Sequence, residues 1–148
     1  MGPVAALSSF FKGYFDVMGR SRRSEFGWMW LIQFFVTIGG VLLIMAMGVT
    51  EAELASDDLP TPAIAVLALF TLAWIGTLIP WTTLTIRRFH DMGYTGWLHA
   101  LFIGLWIIPP LGFLGSIVQF FWVLLGGGTA GSNQYGQDPR FTQRDTFG

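Results

Sequence analysis

Cysteine is absent from the 148 residues of this chain. Its absence excludes disulfide bonds, thiolate metal sites and thioester-linked lipid anchors, and it leaves the redox state of the compartment open. Charge is scarce as well, since Asp, Glu, Lys and Arg make up 11% of the residues, where soluble domains carry about 25%. With so few charges and 53% hydrophobic residues, the chain cannot cover a surface that faces water.

Three long stretches contain no charged residue, and they define the class of the protein. A run of about 20 apolar residues is long enough to cross a bilayer core of about 30 Å as a helix. Helices also satisfy every backbone hydrogen bond inside lipid, so we expect an all-α, multi-span membrane protein. The net charge of -1 and the lack of a basic stripe argue against nucleic acid as a partner. The uncharged stretches are residues 26–50, 59–86 and 92–137.

The N-terminal segment has the pattern of an amphipathic helix. Its apolar residues, among them Leu7, Phe10 and Phe11, recur at helical spacing. Lys12 and Asp16 lie on the opposite face. Such a helix can lie in the membrane interface, although an ordinary amphipathic helix docked on other helices would show the same pattern. Within one membrane domain we predict an interfacial helix at residues 1–18, full transmembrane helices at 26–49 and 63–86, a broken segment at 97–125 and a polar tail at 126–148.

The broken segment can be arranged in two ways. It is too long for one untilted crossing and short for two full ones. Pro109-Pro110 interrupts it, because a proline disfavours the helical conformation in the residue before it. We favour two short helices, at residues 97–108 and 111–125, that form a hairpin. One long, tilted and broken helix is the alternative.

Positive charge predicts how the chain is threaded. Lys12 and three arginines precede the first full span, and Arg87-Arg88 follows the second. Because Lys and Arg concentrate on the cytoplasmic side, we expect the N-terminus and Arg87-Arg88 to be cytoplasmic. A hairpin would return the C-terminus to the same side. The loop between the full spans is purely acidic, with Glu51, Glu53, Asp57 and Asp58.

Three motifs flank the predicted spans. Residues 19–26 read Gly-Arg-Ser-Arg-Arg-Ser-Glu-Phe, residues 87–97 contain Arg-Arg-Phe-His-Asp-Met-Gly, and residues 131–139 read Gly-Ser-Asn-Gln-Tyr-Gly-Gln-Asp-Pro. In this order the sequence resembles the domain of unknown function 805 family, the YhaH-like small inner-membrane proteins of bacteria. The resemblance implies a multi-pass protein of the bacterial inner membrane without an established activity.

If the tail returns to the cytoplasm, the three motifs meet in one interfacial polar layer. In a purely structural interpretation, the arginines fix the orientation and pair with the carboxylates. In a functional interpretation, surplus arginines bind an anionic lipid headgroup or an acidic segment of a partner, because guanidinium groups suit phosphate. The layer comprises Arg20, Arg22, Arg23, Glu25, Arg87, Arg88, His90, Asp91, Asn133 and Asp138.

Catalysis would have to use His90 and Asp91 as an acid–base pair. Adjacent residues rarely orient each other as such a pair needs, and no serine or cysteine nucleophile is evident. His90 and His99 lack a third ligand at a telling spacing for zinc. We therefore expect no enzyme, no metal site and no cofactor.

Two glutamines inside the apolar segments complete the set of candidate residues. Gln33 and Gln119 are costly to expose to lipid, so we expect them to form hydrogen bonds between helices. A pore lined by these glutamines and by threonines would instead indicate a small transporter or channel, formed by one chain or by a homo-oligomer. No ionisable Asp, Glu, Lys or Arg lies within a span, which weighs against ion coupling. We predict a structural or interaction role, as an accessory subunit or lipid-contacting partner of a larger membrane complex.

Overall fold

The computed structural model describes residues 1–55 and 59–140, which form helices joined by turns. The predicted all-α, multi-span class is confirmed. Asp57 and Asp58 of the acidic loop lie outside the described residues. The helices are α1 (Pro3–Lys12), α2 (Arg23–Ala46), α3 (Glu51–Ala55), α4 (Thr61–Asp91), α5 (Trp97–Gly104) and α6 (Pro109–Leu125), with a short 3-10 turn at Leu105–Ile107 before α6.

Helices α2 and α4 are long and apolar enough to cross a membrane. They contain 24 and 31 residues, or about 36 and 46 Å of helix, against a bilayer core of about 30 Å. Only 11% and 6% of their most apolar windows are buried inside the protein. The outward surface of both helices is therefore apolar, which suits contact with lipid.

Helix α1 is shorter than the predicted helix at residues 1–18. Ala6 and Phe10 pack inward, and the Phe10 ring meets Trp81 edge-on at 5.6 Å between ring centroids. The helix ends at Lys12, and the absence of a side chain at the following Gly13 leaves room for the guanidinium of Arg87. A Cβ at Gly13 would stand 2.6 Å from Arg87 Nη2.

The predicted break at Pro109-Pro110 produces a hairpin of α5 and α6. Ile108 is extended, with φ -114° and ψ 98°, and α6 begins at Pro109 rather than at residue 111. Proline is tolerated there because the first turn of a helix needs no backbone N–H. Gly112 lies against Trp106, and Gly115 lies against Leu105, so the absence of side chains lets the two arms approach closely.

The chain divides into two compact units. The first comprises Met1–Met29 and Ile79–Gly148, and it contains all three polar motifs. The second is Trp30–Leu78. Within the second unit, Gly40 lies directly against the ring of Phe70, so that α2 and α4 make close contact there.

Candidate functional site

Asp91, the last residue of α4, lies between two buried arginines. Arg88 Nη1 is 2.7 Å from Asp91 Oδ2, one helical turn earlier in the chain. Arg20 Nη2 is 3.0 Å from Asp91 Oδ1, and Arg20 Nε donates to the same oxygen. The chain can leave the helix immediately afterwards because Gly93 adopts a left-handed conformation, with φ 84°. Both carboxylate oxygens of Asp91 are thus occupied by guanidinium groups.

The same two arginines bind the end of α6 and the segment that follows it. Arg20 donates to the carbonyl oxygens of Gly131 at 2.5 Å and Thr129 at 2.6 Å. Arg88 donates to the carbonyl oxygens of Val123 at 3.0 Å and Gly126. Helix ends leave carbonyl groups without partners, and these guanidinium donors satisfy them at the end of α6. The end of α4 and the start of the tail are therefore connected through two buried cations.

The tail motif contacts His90 from two sides. The His90 ring stacks on Tyr135 with 3.8 Å between ring centroids. The Asn133 amide donates to the His90 carbonyl oxygen at 2.9 Å, and His90 Nδ1 lies 3.3 Å from the carbonyl oxygen of Gly19. Asn133 and Gly136 exchange backbone hydrogen bonds in a tight turn. His90 is thus one contact point for the first and third motifs.

A second carboxylate, that of Glu25, is paired less tightly. Ser21 Oγ donates to Glu25 Oε2 at 2.5 Å, and the Ser21 backbone N–H donates to the Arg87 carbonyl oxygen. Arg87 Nη2 is 3.8 Å from Glu25 Oε1, which is beyond hydrogen-bond range. Although both side chains are buried, Glu25 Oε1 and the Nε and Nη2 atoms of Arg87 make no hydrogen bond in the described part of the chain.

The described part of the tail ends with an ion pair between Asp138 and Arg140. Arg140 Nη2 is 2.6 Å from Asp138 Oδ2, and Arg140 Nε is 2.9 Å from Oδ1. The Arg140 guanidinium holds the pKa of the Asp138 carboxyl well below its usual range, because its hydrogen bonds favour the charged form. The backbone N–H of Gly131 supports this by donating to Asp138 Oδ2 at 3.2 Å.

Three arginines border one open cavity of about 300 Å³, which we call the arginine pocket. Arg22 donates to the Pro139 carbonyl oxygen and makes no ion pair among the described residues. Arg23 is exposed, and within residues 1–55 and 59–140 it forms neither an ion pair nor a side-chain hydrogen bond. The cavity is lined by Arg22, Arg23, Ser24, Asp91, Gly127, Gly128, Pro139 and Arg140.

All ten residues of the predicted polar layer lie in the same unit, but they differ in their contacts. Arg20, Arg88 and Asp91 form the buried centre, whereas Arg23 is exposed. The sequence interpretation missed Thr129, Tyr135 and Arg140. For Arg140 a signal existed, since it follows Asp138 by two residues. For the other two the contacts depend on the tertiary fold.

The two glutamines behave differently. Gln119 of α6 bonds to His99 Nδ1 of α5 at 2.8 Å, which joins the two arms of the hairpin. The Gln33 side chain makes no hydrogen bond within the described residues. Across the described ranges, no three His, Asp or Glu side chains come together in a way that could hold a metal ion.

Comparison with known proteins gives one family. The sequence profile of the family described as "Protein of unknown function (DUF805)" matches residues 14–137. The inner membrane protein YhaI of Escherichia coli K12 is 32% identical over 133 residues, covering 90% of this chain and 93% of its own. The inner membrane protein YhaH of the same organism is 29% identical over 129 residues, covering 87% and 91%. No solved structure matches.

Proposed function

This chain belongs to the DUF805 family of membrane proteins, and from that premise we propose that it binds the headgroups of anionic phospholipids in a structural, non-catalytic role. The arginine pocket is the site. What carries the proposal is a surplus of positive charge. Among the described residues, six arginines stand against three carboxylates in and around the polar layer, those of Glu25, Asp91 and Asp138.

The surplus is concentrated at the arginine pocket. Asp91 is neutralised from both sides by Arg20 and Arg88, and Asp138 by Arg140. Arg22 and Arg23 have no carboxylate partner in the described part of the chain. Each Lys or Arg near an anionic membrane surface contributes about 1 kcal/mol to lipid attraction. Two uncompensated arginines therefore favour an anionic headgroup at this cavity.

The backbone of the pocket also suits phosphate. The N–H groups of Gly127 and Gly128 donate no hydrogen bond to any described residue. Free backbone N–H groups beside guanidinium forks form the kind of concave donor set that binds phosphate oxygens. A glycerol phosphate of an anionic lipid would bring the missing acceptors.

A non-catalytic role is supported by the state of Asp91. A general base needs a free oxygen within reach of the proton that it takes. Both oxygens of Asp91 accept from arginines, and the His90 ring is stacked on Tyr135. We propose further that this layer lies on the cytoplasmic side, since the acidic residues between the full spans would then lie outside.

The test is the composition of lipid that stays bound during purification in mild detergent. We expect anionic phospholipids to be enriched over the bulk membrane, and the enrichment to disappear in an Arg22→Gln/Arg23→Gln variant. An Arg22→Lys/Arg23→Lys control keeps the charge and should keep part of the enrichment. The proposal would be refuted if the lipid retained by the wild type had the composition of the bulk membrane. It would also be refuted if a stoichiometric protein partner copurified in place of lipid.

A further inference from the structure

A second cavity, of about 370 Å³, lies beside the polar face of α1 and is separate from the arginine pocket. Its volume lies within the range of about 300–1,000 Å³ that small-molecule sites occupy. Ser8, Ser9 and Lys12 of α1 line it, together with Asp16 and Arg87. The polar side chains of the N-terminal segment thus face a deeply placed arginine.

Arg87 is a buried cation, and two of its guanidinium nitrogens have no hydrogen-bond acceptor among the described residues. Its side chain is only 9% exposed, and neither Nε nor Nη2 donates a hydrogen bond in the described part of the chain. The nearest carboxylate oxygen, Glu25 Oε1, is 3.8 Å from Nη2. Buried polar groups are nearly always hydrogen-bonded, so an arginine in this state indicates that an acceptor is missing from its surroundings. An anionic oxygen in the cavity would supply it.

The charges around this cavity are balanced, unlike those of the arginine pocket. Lys12 and Arg87 are positive, whereas Asp16 and the nearby Glu25 are negative. Asp16 accepts one hydrogen bond, from the Met18 backbone N–H to Oδ1, and its other oxygen makes none in the described part of the chain. A ligand that is only anionic would gain from Arg87 but be opposed by the carboxylates. A ligand with both a phosphate and an ammonium group matches both.

The position of α1 favours a lipid over a water-soluble molecule. Val4, Phe11 and Phe15 are 80%, 51% and 78% exposed, on and just beyond the helix whose polar residues line the cavity. Aromatic and aliphatic side chains exposed on an amphipathic helix insert into the boundary between headgroups and acyl chains. The cavity would then lie at the depth of the headgroups.

We propose that this cavity binds the headgroup of a zwitterionic phospholipid of the phosphoethanolamine class. The phosphate accepts hydrogen bonds from Arg87 and from the hydroxyl groups of Ser8 and Ser9. The primary ammonium group donates to Asp16. The protein thus has two lipid sites of different charge, one for anionic and one for zwitterionic headgroups.

The test is native mass spectrometry of the full chain in mild detergent with added phosphatidylethanolamine or phosphatidylcholine. We expect phosphatidylethanolamine to be retained about tenfold better, because the quaternary ammonium of choline cannot donate a hydrogen bond to a carboxylate. Arg87→Gln and Asp16→Asn should each abolish this preference. Asp16 is exposed, and Asn preserves the Oδ1 acceptor for Met18, so this variant keeps the fold even where Arg87→Gln does not.

Competition by small molecules separates this site from a plain anion site. Excess O-phosphoethanolamine should displace the retained lipid, whereas inorganic phosphate should not, because phosphate lacks the ammonium group. Equal retention of the two lipids, an unchanged preference in Asp16→Asn, or displacement by inorganic phosphate would overturn the proposal. None of these outcomes depends on Arg22 or Arg23, so these experiments test the second lipid site independently of the first.

Discussion

Arg20 and Asp91, 71 positions apart in the chain, form a buried ion pair with 3.0 Å between Nη2 and Oδ1. The Arg20 side chain is 1% exposed and the Asp91 side chain 7%. The pair joins the motif before α2 to the end of α4. Because Arg88 occupies the other carboxylate oxygen, Asp91 compensates two cations at once. The other arginines of the polar layer are not paired with this carboxylate. The layer therefore has more positive than negative groups.

Replacement of Asp91 by asparagine removes the charge that these two arginines share. We expect Asp91→Asn to lower the free energy of unfolding by about 3–5 kcal/mol, because it leaves an uncompensated buried charge. Thermal unfolding in detergent measures the effect. Asp16→Asn is the matched control, since Asp16 is exposed and its loss should change stability little. Equal melting temperatures for the two variants would contradict the role of Asp91.

The neighbouring glycines Gly127 and Gly128 differ in what an added side chain would meet. A Cβ at Gly128 would collide with the Asp91 carboxylate, whereas a Cβ at Gly127 meets nothing within 4 Å. We expect Gly128→Ala to destabilise the protein by about 1–3 kcal/mol by overpacking. Gly127→Ala should be neutral or slightly stabilising, because alanine reduces the freedom of the unfolded chain. Thermal unfolding of both variants tests this, and the reverse order of stability would refute the contact.

The Asp138–Arg140 pair predicts how the tail responds to acid. The folded-state pKa of Asp138 is depressed below its ordinary value of 3.8. Its contribution to stability is therefore complete above that value and is lost only as the pH falls further, towards the folded pKa. Arg140→Gln should bring the pKa of Asp138 back up towards its ordinary value, so that the tail loosens at a higher pH.

The pH dependence can be followed through the carboxyl carbon of Asp138 by nuclear magnetic resonance in detergent micelles. Lys12→Gln serves as the control, since it removes a positive charge outside the tail and should leave this titration unchanged. If Asp138 titrates identically in the wild type and in Arg140→Gln, the ion pair does not control the carboxyl.

Topology is open to a direct test with reporter fusions. We expect a fluorescent protein fused after Gly148 to fluoresce, because the hairpin is predicted to return the C-terminus to the cytoplasm. Alkaline phosphatase inserted in the loop between α2 and α4 should be active, because that loop carries only acidic charges and is predicted to lie outside. Phosphatase activity at the C-terminus would contradict the predicted threading of the tail.

Composition and periodicity predicted the architecture well, and local geometry less well. The uncharged stretches located α2 and α4 because lipid imposes both a length and a lack of charge. Pro109-Pro110 located the hairpin. The end of α1 was missed because the apolar pattern continues through Tyr14 and Phe15, whereas the helix stops where Gly13 meets the Arg87 guanidinium. That contact comes from a residue more than seventy positions away, which no local pattern contains.

The charge pattern also predicted which charged residues would lie close together, but it did not predict which of them would form ion pairs. The motifs indicated that Glu25 and Asp91 would meet arginines. The sequence could not indicate that Asp91 takes two arginines whereas Glu25 remains 3.8 Å from Arg87. That difference depends on side-chain packing in the folded state. It also decides where positive charge is left uncompensated, and therefore where a ligand is expected.

The most direct test of the anionic headgroup site is a titration of the purified chain in mild detergent with phosphatidylglycerol. Arg23→Gln and Lys12→Gln each remove one positive charge from an exposed side chain, but only Arg23 borders the arginine pocket. We predict that Arg23→Gln raises the dissociation constant about fivefold, as expected for the loss of about 1 kcal/mol, and that Lys12→Gln leaves it unchanged. Equal dissociation constants for the two variants would contradict the anionic headgroup site.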